Sequence, residues 1–159
     1  MVRTFRCRWL LLAGICSALA LAPPALARDG FDFGARTGVY SDAGEAFVGF
    51  ELLFPVGGRR WFFNPNVEAA FVDEGHLVTL NADLHYDLLI NQPTYVWLGA
   101  GPALILSDPP GRDDDDETDV GVNLFAGVGW DVGEFLPYVQ GKVIVSDDTE
   151  FVAAFGIRF

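Results

Sequence analysis

The last ten residues of the chain alternate between an apolar face and a face of polar or small side chains. A period of two residues places the two sets on opposite faces of a β-strand, because successive strand side chains point to opposite sides. The segment therefore predicts a strand with one face in an apolar environment and the other face in a more polar one. The apolar set is Phe151, Ala153, Phe155, Ile157 and Phe159.

The same alternation recurs between turn signals, which are clusters of Gly, Pro, Asn, Asp and Ser. Seven such clusters divide the chain after residue 30, and seven turns imply eight strands. No helical period competes with this pattern. The predicted strands are 31–40, 45–56, 61–72, 77–90, 95–106, 119–132, 135–145 and 150–159.

All of the strand charge falls on one face. The more apolar parity of each strand carries no charged residue, whereas the opposite parity carries the charges and nine glycines. Glycine is costly inside a strand and is useful where space is tight. Solvent-facing strands seldom need it and usually carry more lysine. The polar face therefore suits a crowded barrel interior, although a soluble sandwich or lipocalin-like barrel also alternates.

The beginning of the chain has the composition of a leader. Arg3, Arg6 and Arg8 precede an apolar run from Trp9 to Leu21, and Ala25-Leu26-Ala27 follows. This order is typical of a secretory signal peptide over 1–27, cleaved after Ala27, with the barrel domain over 28–159. An uncleaved anchor and a lipid-modified Cys16 are the alternatives.

Cleavage would leave a thiol-free and strongly acidic chain. Cys7 and Cys16 both lie in the leader, so the mature protein could form no disulfide or thiolate site. Three of the ten basic residues would also leave, and seven would remain against 22 acidic residues, a formal charge of −15. This charge disfavours nucleic acid as a partner.

Together, the leader, the eight alternating segments and the terminal Phe159 resemble the small eight-stranded outer-membrane β-barrels, the OmpA-like or opacity-protein-like superfamily. The resemblance implies an all-β fold, an eight-stranded antiparallel up-and-down transmembrane β-barrel with short periplasmic turns. It also implies a monomer in the outer membrane of a Gram-negative bacterium. The expected partners are outer-membrane lipid, lipopolysaccharide and the barrel-assembly machinery, which would recognise the C-terminal strand ending in Phe159.

The resemblance gives expectations for the two ends of the barrel. The one long connection, Ser107 to Thr118, would face outward, and the other external loops are too short to suggest adhesion. Aromatic residues near the opposite end would form a periplasmic-side girdle. They are Phe31, Trp61, Phe62, Phe63, Tyr95, Trp97, Trp130, Phe135, Tyr138 and Phe159.

Charged side chains inside a narrow barrel must be paired. Reflection about the first turn places Arg36 almost opposite Glu51, and similar counting places Arg158 near Asp32 at the closing seam. Lys142 would face an acidic half formed by Glu68 and Asp83. Acids outnumber bases inside, so some should be protonated, hydrated or bound to a cation. We predict a structural network of Arg36, Glu51, Glu68, Asp83, Lys142, Arg158 and Asp32.

Two local features suggest chemistry. A lipid-modifying hydrolase would draw on His76, Ser41, Ser107 and Ser146, but no His-x-Ser pairing exists. We therefore predict no catalytic residue and no cofactor. The acidic loop residues Asp113, Asp114, Asp115, Asp116 and Glu117 could attract Ca²⁺ or Mg²⁺, although they lack the spacing of an EF-hand and also suit a solvated loop tip.

The leading hypothesis is an integral outer-membrane barrel with a structural or envelope-associated, non-enzymatic role. Its nearest rival is a narrow passive channel. A lipid A-modifying enzyme and a soluble periplasmic barrel that binds an apolar ligand are further alternatives.

Overall fold

The computed structural model describes residues 31–41, 44–58, 60–72, 75–91, 93–108 and 117–159. The predicted signal peptide lies outside these ranges, as do Asp113, Asp114, Asp115 and Asp116 of the acidic loop. Within these ranges no helix has the length and hydropathy needed to cross a membrane. The strands are β1 (Asp32–Tyr40), β2 (Glu45–Gly57), β3 (Trp61–Val72), β4 (Gly75–Asn91), β5 (Thr94–Asp108), β6 (Glu117–Trp130), β7 (Leu136–Val145) and β8 (Thr149–Arg158).

The eight strands form a closed antiparallel barrel in which each strand pairs with its neighbours in the sequence and β1 pairs with β8. This arrangement confirms the predicted fold class. Strands β4 and β5 are longer than predicted, because their backbone pairing continues to His76 and Asp108. The end of the barrel that holds Asp32 and Phe159 is called the terminal end below, and the opposite end is called the loop end.

The seam between β1 and β8 is fixed by both backbone and side chains. The Phe159 amide donates to the Phe33 carbonyl at 2.8 Å. The rings of these residues stack with their centroids 5.4 Å apart, and Phe135 meets Phe159 edge-on. The residue at the end of the alternating segment therefore helps to close the barrel.

The pleat sorts the side chains as the sequence pattern predicts. Polar and charged residues of one parity are buried in the lumen, and large apolar residues of the other parity cover the outer wall. That wall is apolar at mid-height as well as near the ends. Its exposed members include Phe50, Val67, Leu80, Leu84, Leu98, Val122, Leu124, Val139, Phe151 and Phe155.

The predicted aromatic girdle is partly wrong. Phe31, Trp61, Phe63, Trp130 and Phe135 do lie exposed near the terminal end. Trp97 and Tyr138 are instead buried in the lumen, 1% and 0% exposed, and Phe62 and Tyr95 share their inward parity. Closeness to one end was the basis of the expectation, but strand parity decides which face a side chain occupies.

A proline interrupts the ladder in the middle of β3. Pro65 has no N–H, so it cannot donate to a carbonyl of the neighbouring strand. The Asn64 side-chain amide donates to the Leu52 carbonyl at 2.7 Å. A lumen side chain thus replaces a backbone bond that the proline removes.

Candidate functional site in the barrel lumen

The lumen is filled in three layers. An apolar plug lies at the loop end, an ion network occupies the middle, and an aromatic group of Trp97, Phe125 and Tyr138 lies towards the terminal end. The apolar plug consists of Tyr40, Phe47, Ala70, Ala103, Ile144, Val152 and Ala154.

Glu68 on β3 is the first centre of the ion network. Its Oε1 lies 2.5 Å from Arg36 Nη2, and its Oε2 lies 2.6 Å from Lys142 Nζ. The Tyr40 hydroxyl donates to Oε2 at 2.5 Å, and Thr79 lies 3.2 Å from the same oxygen. One buried carboxylate therefore joins side chains from β1, β4 and β7.

Glu51 on β2 is the second centre. Arg158 donates to it through Nε at 2.8 Å and through Nη2 at 3.3 Å. The Tyr138 hydroxyl donates to Oε1 at 2.7 Å, and Asn64 donates to Oε2 at 3.2 Å. This carboxylate therefore joins the closing strand to β2, β3 and β7.

Asp83 on β4 has amide partners. Asn66 and Asn123 each donate to it at 2.9 Å. Asn123 also donates to Asn81 at 2.7 Å, and Asn81 donates to Asn66 at 2.8 Å. Arg36 donates to the Asn66 side-chain oxygen. These amides connect Asp83 to the Glu68 centre across four strands.

The expected pairs of Arg36 with Glu51 and of Lys142 with Glu68 are both present, but Arg36 has a closer partner in Glu68. The first turn closes on Tyr40 and Glu45, so Glu51 lies opposite Gly34 and Arg36 lies opposite Gly49. Arg36 Nη1 is consequently 3.9 Å from Glu51, and the guanidinium contacts Glu68 more closely.

Arg158 also has another partner than expected. Its ion pair within the described residues is with Glu51 and not with Asp32. The seam register places Arg158 opposite Gly34, and a side chain at Gly34 would meet the Glu51 carboxylate at 2.9 Å. The glycine therefore leaves the space through which Glu51 crosses β1 to reach β8.

Sequence reasoning named the charged residues but missed their neutral partners. The missing members are Asn64, Asn66, Asn81, Asn123, Tyr40 and Tyr138. Their signal was available, because each lies on the same parity as the charged residues of its strand. Polar amides at alternate positions of a strand indicate a hydrogen-bonded interior.

Aromatic rings lie against Arg158 on the terminal-end side of the ion network. Its guanidinium carbon lies 4.7 Å from the centre of the Trp97 ring and 4.6 Å from that of Tyr138. The His85 ring also stacks on Trp97, with centroids 5.3 Å apart. His85 Nε2 lies 2.7 Å from the Asp87 carboxyl oxygen.

A cavity of about 240 Å³ lies at the terminal end of the lumen, next to Trp97 and His85. We call it the vestibule. A bulge in β4 between Asp87 and Leu89 lies at its side, and bulges often redirect side chains next to binding sites. The vestibule is lined by Asp32, Leu53, Phe62, His85, Asp87, Tyr95, Trp97, Asp131, Gly133, Glu134, Phe135, Leu136, Arg158 and Phe159.

His76 and Ser107, two of the hydrolase candidates, do not face each other. His76 pairs with Asp108 while the adjacent Leu77 pairs with Ser107, and the pleat directs His76 and Ser107 to opposite faces of the wall. Ser146 donates to the Asp148 carbonyl in the turn before β8, and Ser41 follows β1 at its loop end.

Within the described ranges, no three His, Cys, Asp or Glu residues are grouped so as to hold a metal ion. Of the predicted acidic loop, Glu117 is described as the first residue of β6.

No protein-family model and no curated protein matches the sequence. Several solved structures do match the chain in fold. The N-terminal barrel domain of Pseudomonas aeruginosa OprF is 16% identical with a TM-score of 0.69, over 83% of this chain and 97% of that one. Neisserial surface protein A is 16% identical with a TM-score of 0.65, over 82% and 96%.

The outer membrane enzyme PagL is 8% identical with a TM-score of 0.53, over 80% of this chain and 98% of that one. Nearly the whole length of each of these three barrels aligns with this chain, although their sequences are only 8–16% identical to it. The chain therefore has the fold of the small eight-stranded outer-membrane β-barrels.

Proposed function

We propose that this protein is an integral outer-membrane barrel of a Gram-negative bacterium with a structural, non-enzymatic role in the envelope. The observation that carries the proposal is the filled lumen. Glu51 and Glu68 are each bonded to cations from distant strands, and the apolar plug covers the network at the loop end. In a barrel of this kind, interactions across the lumen stabilise the fold, and the side chains that make them leave little space for transport.

The outer wall supports a membrane location. Its exposed Phe, Leu and Val residues occupy the face that meets lipid in such barrels. We propose that the terminal end faces the periplasm, that the protein is a monomer, and that lipid and lipopolysaccharide surround it. The predicted leader and the strand ending in Phe159 would deliver it to the membrane and to the assembly machinery.

A non-enzymatic role is favoured over the activity of a PagL-like enzyme. His76 and Ser107 lie on adjacent, antiparallel-paired strands but on opposite faces of the wall. A serine hydrolase requires its base within hydrogen-bonding distance of the nucleophile.

Membrane fractionation followed by conductance recording tests the proposal. We expect the protein to remain in carbonate-washed outer membranes and to dissolve in detergent. We also expect its migration on a gel to change on boiling, as a closed barrel unfolds. The purified barrel should add no steady conductance to a planar bilayer. Release by carbonate would contradict the membrane location, and a stable unitary conductance would favour the narrow channel.

A further inference from the structure

We infer that one glycerophospholipid binds at a fixed site on the outer wall, with its phosphate at Arg60 and one acyl chain in a groove across β3, β4 and β5. The inference rests on the proposed membrane location and adds a specific ligand to it. It is supported by one exposed cation, by a groove of small residues in the wall and by the distance between them.

Arg60 differs from the other cations of the barrel in its exposure. It is the one exposed Lys or Arg among the residues that the structure describes, in a chain with a net charge of −12. The other three described cations, which are buried in the lumen, are Arg36, Lys142 and Arg158. A basic side chain at a membrane surface attracts anionic lipid phosphates. Arg60 is therefore the place on the described wall where a phosphate group fits by charge.

The Arg60 guanidinium is held in place and keeps donors available. Its Nη1 donates to the carbonyls of Asp87 and Leu88 at 3.3 and 3.1 Å, and its Nε and Nη2 make no bond to another described residue. The next residue, Trp61, is 43% exposed, and its ring meets Tyr86 with centroids 4.7 Å apart. Trp and Tyr residues on the outer wall of a barrel mark the headgroup level of the bilayer. Arg60 therefore lies at the height of lipid phosphates.

The groove, which we call the wall groove, lies in the interior of the same strands. It has a volume of about 520 Å³ and is lined mainly by apolar side chains of the outward parity. Its floor consists of Pro65, Ala82 and Pro102, which the register places side by side on β3, β4 and β5. Larger side chains, such as Leu80 and Leu104, border this floor. The wall groove is thus a depression in the surface that meets lipid.

The two prolines of the floor are costly in this position. The ladder between β2 and β3 is interrupted at Pro65, and the ladder between β4 and β5 is interrupted at Pro102, since proline has no N–H to donate. Proline in a sheet is normally confined to edges and bulges, and the closed barrel has no edge. Both interruptions fall in one row, with Ala82 between them. Two rigid rings and a methyl group cannot rotate to fill the depression, so the wall groove persists.

The spacing between Arg60 and the wall groove matches one lipid. Trp61 and Pro65 are four residues apart on β3, which is ~13 Å at ~3.3 Å per residue. Each leaflet supplies about half of the roughly 30 Å of hydrocarbon in a bilayer, so an acyl chain that starts beside Trp61 reaches the wall groove. Phe63 and Leu84 are exposed on the wall between the two places. A diacyl lipid with an anionic phosphate fits both ends of this path.

Native mass spectrometry of the full barrel in detergent, titrated with dioleoylphosphatidylglycerol, tests the inference. We expect a single-lipid adduct that saturates before further lipids bind. Dioleoylglycerol has the same chains without the phosphate and should bind more weakly. Arg60→Gln should weaken the single adduct about fivefold, the effect of one basic residue at a membrane surface. Ala82→Leu places a larger side chain in the wall groove and should weaken it about fivefold, as for the loss of one or two buried methylene groups.

Each variant has a matched control. Arg112→Gln makes the same charge change in the connection between β5 and β6, and Ala126→Leu makes the same size change at an exposed position of β6 outside the wall groove. Both should bind like the parent protein, and all variants are checked for heat-modifiable migration in lipid-free detergent. The inference is overturned if the parent has no preferred single adduct, or if Arg60→Gln or Ala82→Leu, while folded, binds as tightly as its control. Failure of the proposed membrane location would be seen separately, as release of the protein by carbonate.

Discussion

The buried carboxylates of Glu51 and Glu68 are the residues on which the lumen depends most. Each is almost fully buried and accepts from at least three groups on other strands. A charge removed from water is expensive unless every oxygen is matched, and removing one partner is costlier than the net value of the pair. Loss of a lumen cation should therefore destabilise the barrel strongly.

Arg36→Ala tests this expectation. The change removes the closest contact of Glu68 Oε1 and the donor to Asn66, and Lys142 remains on the other oxygen. We expect the free energy of unfolding to fall by about 3 kcal/mol or more. Urea titration in detergent, followed by the gel shift between folded and heated forms, measures it.

Arg60→Ala is the matched control. Arg60 is exposed in the turn before β3 and donates to the carbonyls of Asp87 and Leu88. We expect a loss below about 1 kcal/mol, typical of exposed charged side chains. Equal unfolding curves for Arg36→Ala and the parent protein would contradict the importance of the network.

At the scale of the strands, interior glycines make room for aromatic side chains on neighbouring strands. A Cβ at Gly156 would lie 2.3 Å from Tyr138 Cζ, and one at Gly99 would lie 2.2 Å from Phe125 Cζ. The glycines on the polar parity are therefore sites of close packing across the ladder. Without them the rings that enclose Arg158 could not lie against the wall.

Gly156→Ala should therefore overpack the aromatic group. Tyr138 is fully buried and bonded to Glu51, so it has little freedom to move. We expect a loss of about 1–3 kcal/mol in unfolding free energy. Gly141→Ala on β7 is the control, because nothing lies within 4 Å of its added Cβ. If both substitutions proved equally tolerated, the packing role of the interior glycines would be wrong.

At the scale of the whole molecule, the barrel is polar inside and apolar outside. The outer wall exposes Val122, Leu124 and Val139, while the lumen buries Asn123, Gln140 and Lys142 on the opposite parity of the same two strands. Such an arrangement is stable where the surroundings are lipid. Stability should therefore depend on how deep in the membrane an outward-facing residue lies.

Leu124→Arg and Val132→Arg test this dependence. Leu124 is 53% exposed near the middle of β6, and Val132 is 55% exposed just beyond its terminal end. In lipid bilayers we expect Leu124→Arg to cost about 2–4 kcal/mol and Val132→Arg about 0–1 kcal/mol. Unfolding titrations in vesicles compare them. Equal costs at the two positions would argue against a spanning barrel.

The division of residues between lumen and lipid could be predicted from the sequence, because it depends on strand parity alone. Arg36, Glu51 and Lys142 could be assigned to the interior from the two-residue period. Apolar alternation also located the eight strands to within about two residues at most ends.

Partners within the lumen could be predicted only in part, since Arg36 with Glu51 and Lys142 with Glu68 were expected but Arg158 with Glu51 was not. The first hairpin has the predicted register, with Arg36 opposite Gly49, yet the guanidinium contacts Glu68 on β3 more closely than Glu51 on β2. Contacts such as Arg158 with Glu51 reach from β8 past β1 to β2. They depend on the width and stagger of the closed barrel, and no short sequence pattern encodes these quantities.

The bond between Arg158 and Glu51 joins residues 107 positions apart in the sequence. During folding, Glu51 is in place with the first hairpin, but its guanidinium partner arrives with the eighth strand. A sheet of seven strands would therefore have an open edge and a buried carboxylate without its closest cation, since Arg36 lies farther away at 3.9 Å, and both defects disappear in the same step. Completion of the barrel is thus coupled to neutralisation of a buried charge, which should make closure an all-or-none event and leave partly assembled forms short-lived.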